Sequence, residues 1–102
     1  KMVKMYLDDI RNPKTDGWIV VRSYTNAVNW MEMYGCPDYI SFDHDLGEGV
    51  FSGYDLAKWV VNKDLDEGGN WIPEYFDFNV HSANPVGAKN IQSLIERYLD
   101  SK

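Results

Sequence analysis

Short runs of apolar, aromatic and β-branched residues alternate with longer amphipathic segments along this chain, and that alternation restricts the fold more than any other feature. Residues 2–9 (MVKMYLDD), 18–23 (WIVVRS), 39–46 (YISFDHDL) and 76–82 (FDFNVHS) read as strands. Residues 10–17 read as loop, marked by Pro13, Asp16 and Gly17. Ala27, Val28, Trp30, Met31 and Tyr34 follow helical spacing, with Thr25 as the expected N-cap and Gly35 and Pro37 as the stop. Ser52 and Asp55 form a capping box with Asp in place of Glu, opening a helix that carries Leu56, Ala57, Trp59, Val60 and Val61. The DLDEGGN stretch reads as loop, and Asn84-Pro85 opens a last helix as N-cap and N1. Its apolar face comprises Ala88, Ile91, Leu94, Ile95, Tyr98 and Leu99.

Strands separated by helix-length segments imply right-handed crossovers and a parallel sheet. Such sheets bind ligands at the carboxyl ends of their strands, where the strand order reverses. Three of the four expected strands end in ionisable or polar clusters: Asp8-Asp9, Asp43-His44-Asp45 and His81-Ser82. An Asp pair after a strand is, taken alone, most simply a turn or cap, and a lone histidine a structural residue. Convergence on one edge is what favours function.

With 102 residues the chain makes one domain, residues 1–102, around one modest core. Its 44% hydrophobic and 25% charged content is that of a globular protein, and no apolar run approaches the ~20 residues that span a bilayer. No membrane association is expected. No signal peptide is visible, and Lys1 ahead of Met2 reads as an added residue. The single Cys36 excludes an internal disulfide and fits a reducing cytoplasm; it reads as a bystander in a turn. A net charge of −6 disfavours binding along an extended nucleic-acid backbone, while leaving room for a small phosphate ligand held by local cations, or for a protein partner.

The acid pair after the first strand, the Asp after a central strand, Gly53 beyond it and Ser82-Ala83 resemble the receiver domains of response regulators. That resemblance implies Asp43 in the phosphoacceptor position, Asp8 and Asp9 with Asp43 as ligands for Mg²⁺, and Ser82 in the hydroxyl position. The chain departs from receivers in lacking a final lysine-proline strand end, and in having a loop where their first crossover helix would be. LDDIRNP, ISFDHDLG, GYDLAKW and HSANPVGAKNI resemble more closely the cyclic-phosphate-processing family of receiver-like domains. The implied fold is a truncated receiver-like (flavodoxin-like) α/β domain of about four parallel strands and three helices, with its site at the carboxyl edge of the sheet. The implied substrate is a small cyclic phosphate, as in a cyclic nucleotide, a nucleotide derivative or an RNA end.

Unit charges ~4 Å apart interact by about 4 kcal/mol at an effective dielectric of 20, so Asp8, Asp9, Asp43 and Asp45 cannot cluster uncompensated. A divalent cation, a retained proton or basic side chains must offset them. Arg11 and Lys89, with Ser82 and Asn84, are the expected phosphate-binding groups; Lys89 falls in the first turn of a helix, where a bound anion would suit it. His44 and His81 are the only histidines, and their strands are expected to be neighbours. One imidazole can take a proton from attacking water while the other protonates the leaving oxygen, with Asp43 or Asp45 orienting His44. That chemistry needs no metal. The leading expectation is a phosphoesterase acting on cyclic phosphates. The alternatives are a signalling receiver phosphorylated on Asp43, or a non-catalytic nucleotide-binding or inhibitory protein.

Overall fold

The computed structural model describes residues 2–102; Lys1, read above as an added residue, lies outside the described residues. Its elements are β1 (Lys4–Leu7), β2 (Trp18–Val21), α1 (Tyr24–Tyr34), β3 (Tyr39–Phe42), α2 (Gly53–Asp66), β4 (Asp77–Val80) and α3 (Pro85–Ser101). All strand pairs are parallel, in the order β2-β1-β3-β4. The order reverses between β1 and β3, so the chain after Leu7 and the chain after Phe42 flank the switch point.

The alternation of side chains along each strand builds the core on one face only. Met5, Leu7, Ile40 and Phe42 are fully buried, and they meet Ala27 and Met31 of α1, Leu56, Ala57 and Val60 of α2, and Ile91 and Ile95 of α3. Each helix therefore presents its apolar stripe to the same side of the sheet. Parallel sheets are ordinarily covered on both faces. Here the other face carries Lys4, Tyr6, Trp18, Tyr39, Ser41, Asp77 and Asn79, and among the described residues no helix lies over it.

Each strand is shorter than expected, because the chain leaves the sheet just before its ionisable residues. The first helix starts earlier than expected: the Ser23 hydroxyl, rather than Thr25, accepts the Asn26 N–H at 3.0 Å. The Ser52–Asp55 capping box is present in both directions, and Asn84 caps α3 by accepting the Gly87 N–H at 3.0 Å. Asp64, Leu65 and Asp66, expected in a loop, extend α2. The reason is Asp64, fully buried, whose carboxylate accepts the Trp71 and Ile72 N–H groups at 2.8 and 2.7 Å and pairs with Lys102 at 2.9 Å. Trp30 and Trp59, expected in the core, are half-buried and pack against its margin.

Candidate functional site

The register pairs Leu7 with Phe42 and Phe42 with Val80, so the next residues, Asp8, Asp43 and His81, form a row just beyond the strands. Backbone bonds hold them there: the N–H groups of Asp8, Asp43 and His81 donate to Val21, Leu7 and Phe42 carbonyls at 3.2, 3.0 and 2.9 Å. By the period of two, all three fall on the uncovered face of the sheet. Their ligating atoms lie within 4.8 Å of one another.

Arg11 compensates this row. Its Nε donates to Asp8 Oδ2 at 2.8 Å, and its Nη2 lies 3.5 Å from Asp43 Oδ1. Asp8 Oδ1 accepts the N–H groups of Ile10 and Arg11 at 3.0 and 2.8 Å, and His81 Nε2 meets Asp8 Oδ2 at 3.0 Å. Burial alone would raise the Asp8 pKa, but these N–H donors, His81 and the Arg11 charge together hold it below the usual value. Arg22 secures the loop from beneath, its guanidinium donating to the Asp8 and Arg11 carbonyls at 3.1 and 2.6 Å.

The two histidines stand in different settings. An ionised Asp8 can only accept, so His81 carries a proton on Nε2, and its Nδ1 shares a hydrogen bond of 2.7 Å with the Ser41 hydroxyl. Both ring nitrogens are thus engaged within the protein, and the ring stacks on Tyr6 with centroids 4.4 Å apart. His44 instead packs toward the helices, against Gly87, where an added Cβ would lie 2.4 Å from the ring. Its Nδ1 donates to Asp45 Oδ1 at 2.7 Å, and among the described residues its Nε2 has no protein partner. The His44 hydrogen bond, with a smaller contribution from Asn84, lowers the Asp45 pKa against slight desolvation.

A cavity of about 510 Å³ opens over the edge, lined by Asp9, Arg11, Asp43, Asp45, Glu48 and Ser82 among others. Ser82 Oγ accepts the Asn84 N–H at 3.0 Å, leaving its own hydrogen for a ligand. Asp8, Asp43, Asp45, Arg11, Ser82 and Asn84 are therefore brought together, with the two imidazoles on opposite sides of the sheet edge. Lys89 stands apart, in a separate groove with Tyr54 and Arg97.

Among the described residues, the metal-ligating group within reach is Asp8, Asp43 and His81; Asp9 is not part of it. Asp8 has all four lone-pair sites filled, and the Arg11 guanidinium already supplies the cation. As arranged, this trio does not fit Mg²⁺ without displacing Arg11 or His81.

Ser41, Tyr6, Arg22, Glu48 and Gly87 were not singled out from the sequence. The period of two marks Tyr6 and Ser41, which share the face of Asp8 and Asp43; nothing local marks Arg22 or Gly87.

No curated protein and no solved structure matched the chain. The model of the cyclic-phosphate processing receiver domain matches residues 3–97, nearly the whole sequence and every element of the edge just described. The chain belongs to the family of cyclic-phosphate processing receiver domains.

Proposed function

We propose that this domain hydrolyses a small cyclic phosphate over the carboxyl edge of the sheet. The observation that carries the reading is the His44–Asp45 pair: Asp45, which accepts from His44 Nδ1 at 2.7 Å, lines the cavity that also holds Arg11 and Ser82, so the dyad adjoins the phosphate-binding groups. Water attacks phosphorus, His44 Nε2 takes its proton, and one ring P–O bond breaks. Asp45 stabilises the imidazolium that forms. Arg11 and the Ser82 hydroxyl bind phosphoryl oxygens. The departing alkoxide takes a proton from solvent water and the imidazolium returns its proton to solvent, so the net change is the addition of one water and the product is an open monoester. His81 acts as a positioning residue, holding Asp8 against Arg11.

The acids around the cavity also have a use. A cyclic diester carries one negative charge, whereas a monoester carries ≈ −1.5 to −2 near neutral pH. Asp9, Asp43, Asp45 and Glu48 repel the product more strongly than the substrate, which favours release.

Nucleoside 2′,3′-cyclic phosphates, assayed with and without chelator, test the reading. Turnover that persists in chelator and falls about 100-fold or more in His44→Gln is the expected result. Undiminished turnover in His44→Gln overturns it. Activity lost to chelator and restored by Mg²⁺ would show that Arg11 yields to an ion. Modification of Asp43 by beryllium fluoride, with no turnover of any cyclic phosphate, would favour a signalling receiver.

A further inference from the structure

The face of the sheet left without helices is the continuation of the site. Beneath the row of Asp8, Asp43 and His81 lies the row of Tyr6, Ser41 and Asn79, and beneath that the row of Trp18, Lys4, Tyr39 and Asp77. A groove of about 690 Å³ runs along these rows, its walls including Tyr6, Trp18, Tyr39, Lys14, Asn79 and His81. The aromatic rings form a connected platform: Tyr6 stacks on His81, Trp18 meets Tyr6 edge-on with centroids 5.6 Å apart, and Tyr39 meets Trp18 likewise at 6.0 Å. His81 is common to the groove and to the edge, because its ring lies on the platform while Nε2 reaches Asp8.

We propose that this groove receives the base of a nucleoside cyclic phosphate. The inference deepens the hydrolytic reading above and rests on it for the position of the phosphate. Three features select a base as the occupant. Flat rings suit a stacking platform of Tyr, Trp and His. Asn79 and Lys14 are among its lining residues and offer an amide and an ammonium to the donors and acceptors that a base carries. The spacing also matches, since two residues of strand separate Tyr6 from Asp8, about 6.6 Å at the strand rise, the scale on which a sugar separates base from phosphate. The groove volume falls in the usual range of small-ligand sites, roughly 300–1,000 Å³.

The test has two arms. In the first, adenosine and cytidine, which carry no phosphate, are titrated into the intact protein while amide and indole NMR signals are followed. Shifts at Tyr6, Trp18, Asn79 and His81 are expected, weakened about tenfold in Trp18→Leu and reduced in the surface variant Asn79→Ala. In the second, turnover of a nucleoside 2′,3′-cyclic phosphate is compared with that of a base-free cyclic phosphate such as glycerol 1,2-cyclic phosphate. Trp18→Leu should reduce kcat/KM for the first about tenfold and leave the second unchanged. Nucleoside shifts at the groove without any turnover would sink the hydrolytic reading and keep the base site. Equal turnover of both substrates, with no nucleoside shifts, would overturn the base site and keep the hydrolysis. Groove signals that move with protein concentration and not with nucleoside would assign the face to a second copy of the chain, and the proposal falls.

Discussion

Arg11 decides how an acidic edge can hold together. Asp8 is fully buried and Asp43 nearly so, and without the guanidinium they would lack their nearest positive charge. A lysine keeps the charge but not the fork that reaches both carboxylates. Arg11→Lys should therefore weaken substrate binding, raising KM about tenfold, and Arg11→Ala should also destabilise the fold, by about 1 kcal/mol given the solvent that screens the half-exposed guanidinium, read by urea denaturation. A chain unaffected by both changes would show that solvent or ions perform the compensation. At the same scale Cys36 is quiet: burial, then the charges of Asp64 and Asp38, push its thiol up to about 12, so its reading as a bystander accords with a thiolate that does not form near neutrality.

The elements do their work through their ends. The N-terminus of α3 fixes His44, since Gly87 in its first turn lies against the imidazole. Gly87→Ala should displace the ring and lower kcat at least tenfold, and should lower the thermal midpoint as well, because the methyl would meet the imidazole at its Cγ and not at the far end of a flexible side chain. Asn84→Ala should instead cost about 1 kcal/mol of stability through the lost cap. Comparing the two variants separates a displaced dyad from a loosened helix. Element order, parallel pairing and the caps at Ser52 and Asn84 were legible because periodicity and capping are local properties of sequence. The gathering of Asp8, Asp43 and His81 was legible too, since strand ends in a parallel sheet share an edge. The opposed settings of the histidines were not. They depend on the register of β3 with β4, which sets His81 level with Asp43 and leaves His44 one position further on, facing the other way, and on a glycine more than forty residues away in sequence. Asp64 escaped the sequence for the same reason: an acid in a Gly-rich stretch looks like a loop residue until Trp71, Ile72, Tyr98 and Lys102 close around it.

For the molecule as a whole, that buried acid sets limits of stability at both ends of the pH scale. Burial would raise Asp64, but the N–H of Ile72, the Tyr98 hydroxyl, Lys102 and the N–H of Trp71 bring it down to about 2 from a usual 3.8. A carboxyl held below its unfolded value adds stability that is fully present above 3.8 and is lost as pH falls through about 2. Its partner Tyr98 is raised to about 12 from 10, by burial and then by the Asp64 hydrogen bond and charge. Its contribution is therefore complete below 10 and lost as pH rises through about 12. Thermal melts of Tyr98→Phe should show lower stability at neutral pH and a flatter decline on the alkaline side. Asp64→Asn should flatten the acid side and cost roughly 3 kcal/mol at pH 7. Melts that keep the parent's pH dependence in both variants would place the titrating groups elsewhere, with Asp8 the next candidate.

Gly53 has a consequence for how such a domain can diversify. Its N–H donates to the His44 carbonyl at 2.7 Å, and a Cβ on it would lie 1.8 Å from the Asp43 carbonyl oxygen. The backbone entering the segment after His44 and the backbone leaving it at Gly53 are thus clamped together, as at the neck of a drawstring bag. What hangs from the neck, Glu48, Gly49, Val50 and Phe51, is exposed and can change in length without moving the dyad. Insertion of two to four glycine or serine residues after Gly49 should leave the fold and the His44–Asp45 bond intact, whereas Gly53→Ala should disrupt both, as seen in the imidazole NMR signals. Related domains that prefer different substrates can then be sought in the length of that one pouch, with its neck kept closed.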